Sequence, residues 1–191
     1  MHTPAAEGSS LRPPGLVAGE ATLVAPLIQG YQHGSVASKP LMNGAQVLVK
    51  LLEQHGVNHV FGIPGAKVDS VFEALLDSSI ELVLCRHEQN AAFMAQATGR
   101  ITGKVGVCLA TSGPGVTNLV TGLITATTEG DPVLAIGGEV PLDDRFKHTH
   151  QSLDGVDVMR PVTKYAQSAL NIHCLPEVFA NAVRAAESGR P

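Results

Sequence analysis

The chain has 191 residues, 44% of them hydrophobic and 16% charged, with a formal net charge of −4; that is enough for one domain plus an appendage, since domains run to about 100–200 residues. An acidic balance without a basic cluster excludes nucleic acid as a main partner, and 4% aromatic residues with no Trp leave no base-stacking platform. No apolar run approaches the ~20 residues of a membrane span, and Cys85, Cys108 and Cys174 form no CxxC pair, so they read as buried reduced thiols in a cytoplasmic protein.

Residues 1–40 carry Pro4, Pro13, Pro14, Pro26 and Pro40 among Gly, Ser and Ala, and are expected to form a mobile extension. The run Leu23–Ile28 is broken by Pro26 and has no basic cluster before it, unlike a signal peptide. The domain is expected to span 41–191, with Met42 near its start. Asn43 can cap a helix to Gln54 or His55 that Gly56 stops, with Leu48, Leu51 and Leu52 on one face. His59-Val60-Phe61 reads as a strand, 67–77 as a helix, and Ile80–Cys85 as a strand. A helix headed by Glu88 follows, then a strand Val105–Ala110. A helix over about 115–128, ended by Gly130, leads to a strand Pro132–Ile136. Residues 137–151 read as irregular, 153–159 as a short helix, 162–168 as a strand, and Pro176–Ser188 as the last helix. Continuously apolar strands alternating with helices predict an α/β fold: a doubly wound parallel sheet with helices on both faces.

Glu88 is the carboxylate of most chemical interest. It opens a nearly uncharged helix just past the carboxyl end of a strand, where open parallel sheets bind ligands. Ala91, Ala92, Ala95 and Gly99 follow at helical spacing, a stripe of small side chains that a second helix or a flat ring can approach closely. A carboxylate held there away from water would have a raised pKa and could exchange a proton with its neighbour. The plainer reading is a surface Glu favoured by the helix dipole. His87 beside it either orients it or serves structure alone.

Ser112-Gly113-Pro114-Gly115 also joins a strand to a helix. Asn118 stands where a G-x-G-x-x-G loop needs its third glycine, so a dinucleotide site does not fit. The turn can present backbone N–H groups and the Asn118 amide to a flat heterocycle, or be an ordinary strand-to-helix turn. Ile63-Pro64-Gly65-Ala66 sits at another strand's carboxyl end, and its small residues let the backbone approach a ligand; again a simple turn is the alternative. His148 and His150, two residues apart without a third ligand in pattern, make a poor metal site, so no metal ligands are assigned.

Phe61–Ala66, Arg86–Arg100 and Thr111–Asn118, in that order, resemble the N-terminal domain of thiamine-diphosphate enzymes. Residues 43–191 look like the pyrimidine-binding domain of the acetolactate synthase family. The resemblance implies that Glu88 hydrogen-bonds the cofactor's aminopyrimidine and promotes the tautomer that generates the thiazolium ylide. It implies that the ylide attacks pyruvate, carbon dioxide leaves, and the enamine adds to a second pyruvate to give 2-acetolactate. Ile63, Pro64, Gly65, Ala66, Ser112, Gly113, Pro114 and Asn118 would wall the pyrimidine, and Gln151 would reach toward substrate. Biosynthetic members, which carry FAD, usually have Phe-Gln-Glu here; His150-Gln151-Ser152 and Pro161–Tyr165 resemble the catabolic, FAD-independent type.

In that family the diphosphate and Mg²⁺ are held by a G-D-G…N-N motif in a C-terminal domain, and this sequence has no such motif. The expectation is therefore a domain that needs a middle and a C-terminal domain, in a homodimer or homotetramer, and is inactive alone. Pyruvate oxidase and glyoxylate carboligase are the nearest alternatives, though the latter should lack the glutamate. A non-catalytic binding module of the same fold is the alternative from another class.

Overall fold

Asn43 opens the first helix through a capping box. Its side chain accepts from the Gln46 N–H and the Gln46 side chain accepts from the Asn43 N–H, each at 2.9 Å. The computed structural model describes residues 41–191; the mobile extension expected over 1–40 lies outside the described residues. Helix α1 (Gly44–Gln54) buries Ala45, Leu48, Val49 and Leu52 and stops at Gly56, whose φ is +73°. Strand β1 (His59–Gly62), helix α2 (Asp69–Leu76), strand β2 (Glu81–Leu84) and helix α3 (Glu88–Thr102) follow. Then come β3 (Gly106–Ala110), α4 (Pro114–Glu129), β4 (Val133–Gly137), a five-residue α5 (Gly155–Met159) and α6 (Leu175–Glu187), with short 3₁₀ turns at Leu142–Asp144 and Arg160–Val162.

The strands form one parallel sheet in the order β2-β1-β3-β4. Because successive side chains of a strand point to opposite faces, the core divides in two. Val60, Val107, Leu109, Leu134 and Ile136 pack with α1, α2 and α6, while Phe61, Cys108, Ala110, Val133 and Ala135 pack with α3, α4 and α5. This is the doubly wound α/β arrangement expected, with helices on both faces.

The stripe on α3 serves a second helix. Ala91, Ala92 and Ala95 are fully buried, and a Cβ added at Gly122 of α4 would come within 2.5 Å of the Ala92 Cβ. Such close approach is available only where one of the facing residues has no side chain.

The strand expected near 162–168 is not one. The segment does alternate, Tyr165 packing into one core and Ala166 into the other, which is why its pattern reads as a strand. Its main chain nevertheless has no ladder partner among the described residues. Side chains hold it instead: Thr127 Oγ1 donates to the Val162 carbonyl at 2.9 Å, Thr163 Oγ1 to the Met159 carbonyl at 2.7 Å, and Lys164 Nζ to the Ser188 and Arg190 carbonyls just past α6 at 2.6 Å each. Pro161, in the 3₁₀ turn just before, has no N–H to offer a ladder.

The amino end of β4 is pinned by Asp131. Its carboxylate accepts from Gln96 Nε2 at 2.7 Å and from Arg100 Nε and Nη2 at 2.7–3.0 Å, tying α3 to the α4–β4 turn. The Arg100 hydrogen bonds hold the Asp131 carboxyl below its ordinary value of 3.8. A depressed folded-state value means that stability from this group is present above the unfolded value and is lost as pH falls through the folded one. Asp131→Ala is expected to cost about 2 kcal/mol near neutral pH, because the charge-assisted bonds from Arg100 are lost and the buried Gln96 amide loses its acceptor. In urea melts the gap between variant and parent should shrink below pH 4; a gap independent of pH would refute the pairing as its cause.

Candidate functional site

From β1 the chain turns outward to β2, and from β3 it turns the other way to β4. The crevice between the carboxyl ends of β1 and β3 is therefore the topological switch point, where open parallel sheets accept ligands. The loops that leave there are tightly fitted. A Cβ added at Gly65 would lie 2.6 Å from the Thr111 Cβ, and the Lys67 N–H faces Thr111 Oγ1 at 3.4 Å. Around Gly65, Ile63 is half-buried and Pro64 and Ala66 are exposed at the crest of their loop.

The turn from Ser112 to Gly115 is the hub. Gly113 precedes α4 with φ +61° and ψ −117°, and Pro114 supplies the first helical residue, where its missing N–H costs nothing. A Cβ at Gly113 would come within 2.9 Å of the Gln151 carbonyl, and one at Gly115 would stand 3.5 Å from Glu88 Oε1. Asn118, one turn into α4, donates from Nδ2 to Glu88 Oε2 at 2.9 Å. Glu88 and Gln151 are thus seated against the two glycines of one turn, Gly115 and Gly113. Ser112 Oγ is buried beside them with no hydrogen-bond partner among the described residues, and a buried polar atom of this kind calls for one.

Glu88 is the first residue of α3 and stands half-exposed, less withdrawn from water in this chain than expected. His87 is the helix cap: its Nδ1 accepts from the Gln89 N–H at 3.1 Å, which assigns it a structural part. Gln151 has φ +62°, the left-handed conformation that non-glycine residues seldom hold. A cleft of about 370 Å³ opens in the same loop, lined among others by Arg145, Lys147, His148 and Asp154; Glu88, Ser112 and Asn118 do not line it. Among the described residues, no three His, Cys, Asp or Glu side chains group as metal ligands would. Burial pushes the Cys108 thiol up to about 12, so it stays protonated and packs as a small hydrophobe.

Sequence reasoning missed Thr111, which joins the two loops, and undervalued Gly115, whose bare α-carbon faces Glu88. The signal for Gly115 was its place three residues before Asn118, one helical turn away on the same face.

Residues 42–158 match the family described as thiamine pyrophosphate enzyme, N-terminal TPP binding domain. The chain belongs to this family. It is 59% identical over 149 residues to a catabolic acetolactate synthase of Raoultella terrigena, an alignment covering 78% of this chain and 27% of that protein. It is 56% identical over 147 residues to an acetolactate synthase of Bacillus subtilis, covering 77% and 26%. With the large subunit of Escherichia coli acetolactate synthase isozyme 2 it shares 45% identity over 150 residues, covering 78% and 27%. The chain thus spans about a quarter of the length of these relatives. For a TPP-binding domain the residues at the switch point fit: a glycine-lined turn, an orphaned buried hydroxyl and an oriented carboxylate are suited to a flat, polar heterocycle.

Proposed function

We propose that this chain is the pyrimidine-binding domain of a catabolic, FAD-independent acetolactate synthase that joins two pyruvates into 2-acetolactate with loss of carbon dioxide. The observation that carries the proposal is Glu88 at the switch point, held by the Asn118 amide at 2.9 Å over the bare α-carbon of Gly115. The acetolactate synthases at 56–59% identity support the substrate. Thiamine diphosphate, when bound, supplies a carbanion able to attack a keto acid.

The residues of this chain have distinct parts in that reading. Glu88 exchanges a proton with a ring nitrogen of the pyrimidine, and Asn118 fixes which carboxylate oxygen faces the ring. Ile63 to Ala66 and Ser112 to Pro114 form its walls, with Ser112 Oγ free to bond the heterocycle. Gln151 reaches the substrate. Diphosphate and Mg²⁺ are held by domains beyond this chain, in a cytoplasmic homodimer or homotetramer.

A full-length polypeptide carrying this sequence, given pyruvate, thiamine diphosphate and Mg²⁺ without flavin, is expected to release acetolactate and to purify without FAD. Pyruvate consumption without acetolactate would move the assignment to another thiamine enzyme, such as pyruvate oxidase. No turnover at all would favour a binding module.

A further inference from the structure

Thr111 stands between the two loops that wall the switch point. It follows β3 directly, ahead of the Ser112 turn, and is half-buried. On one side it meets the loop after β1. A Cβ built on Gly65 would lie 2.6 Å from Thr111 Cβ and 3.0 Å from both Cγ2 and Oγ1. The Lys67 N–H of the same loop donates to Oγ1 at 3.4 Å. On the other side it meets the amino end of α4. A Cβ built on Gly115 would lie 2.9 Å from Thr111 Cγ2 and 3.5 Å from Glu88 Oε1. The methyl is thus wedged between two bare α-carbons, while the hydroxyl faces a main-chain N–H.

Each loop is anchored on its own account. The Val68 N–H donates to the Gly65 carbonyl at 2.8 Å, and the Val68 side chain is fully buried. Asn118 of α4 holds Glu88 at 2.9 Å. What remains to be set is the gap between the loops, and a threonine is suited to setting it. Its Cβ carries two heavy atoms, so χ1 is stiff, and neither branch leaves its glycine without a change of rotamer. In a close-packed interior such contacts transmit displacement. An atom lost at Thr111 lets the walls close, and an atom gained at either glycine drives them apart.

We propose that Thr111 is a positioning residue: it sets the distance between the loop after β1 and the turn after β3, and through Gly115 the seat of the Glu88 carboxylate. The hydroxyl registers the 63–66 wall by way of Lys67. The methyl supports Gly115, and with it Glu88. The two branches therefore carry separable effects. The catalytic side of this inference rests on the reading of Glu88 as the proton partner of the pyrimidine. The spacing itself is read without cofactor or turnover, so the two fail in different experiments.

In ¹⁵N NMR of the 191-residue chain, Thr111→Val is expected to shift the Lys67 amide and speed its hydrogen exchange, with smaller changes at Gly115 and the Asn118 side-chain amide. Thr111→Ser should reverse the pattern: Lys67 keeps its acceptor, while Gly115 and the Asn118 amide move. In the full-length enzyme, Thr111→Val should raise the half-saturating concentration of thiamine diphosphate by roughly two- to tenfold, the worth of one hydrogen bond, and by more than it lowers kcat. Thr111→Ser should instead lower kcat by about tenfold or more, since misplacing a reacting group by about 1 Å costs on the order of 10²-fold. Each variant predicts its own split, so either carries the test if the other does not fold. Amide shifts that are the same in both variants would overturn the proposal. Equal losses of kcat and cofactor affinity in both, in step with a lowered melting temperature, would make Thr111 structural only. The expected shift pattern in a protein whose parent makes no acetolactate would uphold the spacing and count against the acetolactate reading alone.

Discussion

Glu88→Gln, in the full-length enzyme, is expected to lower turnover by about 10²–10⁴-fold, the usual worth of a positioned acid–base group. In barrier height that is roughly 3–5 kcal/mol. The substitution keeps the side chain's size and its place at the head of α3, so the fold should tolerate it. Asn118 Nδ2 still finds an oxygen to donate to, because the glutamine amide retains one. What disappears is the site's capacity to take and return a proton. The loss should therefore fall mainly on kcat, with KM for pyruvate little changed, and thermal unfolding should match the parent. Asn118→Ala separates orientation from chemistry: the carboxylate stays but is no longer held, so the loss should be smaller. Near-normal turnover in Glu88→Gln would end the catalytic assignment.

Much of this site was legible because its parts lie at chain positions with strong local signals. Strand ends are marked by the change from apolar runs to Gly, Pro and Ser. Glu88 stood out as one carboxylate at the head of an alanine-rich helix. The two-sided core was also legible, since Val107 and Leu109 alternate with Cys108 and Ala110 and the helices carry 3.6-residue periodicity. What local pattern does not encode is which turn meets which. Gly113 against Gln151 joins residues far apart in sequence, and Thr111 against Gly65 likewise. Glu139 escaped notice because a carboxylate after an apolar strand reads as the chain returning to solvent. Only the folded chain shows it buried. The false strand at 162–168 has the same origin: alternation reports which faces are covered, not whether a neighbouring strand is there to pair.

Gly106→Ala should be the most damaging single-methyl change among the described glycines. A Cβ built there runs into the main-chain carbonyl of Ala95, on a fully buried turn of α3. A flexible side chain could swing aside, but a carbonyl inside a helix cannot move without its helix. Overpacking of cores usually costs about 1–3 kcal/mol and more where nothing yields, so a loss of at least about 3 kcal/mol is expected. For a chain of this size that lowers the melting temperature by roughly 6–12 °C. Gly103→Ala separates space from conformation, since it has open surroundings but φ +68°; it should cost about 1 kcal/mol. Gly44→Ala, at the start of α1 with nothing within 4 Å, should be neutral or gain a few tenths of a kcal/mol. Denaturant melts of the three variants would give this order, and a Gly106→Ala variant as stable as Gly44→Ala would refute the close β3–α3 contact. The consequence reaches the site, because the only relief for the added methyl is to lift α3 from the sheet. Glu88 opens that helix, so any Gly106→Ala protein that still folds should carry a displaced carboxylate and a weakened Asn118 contact.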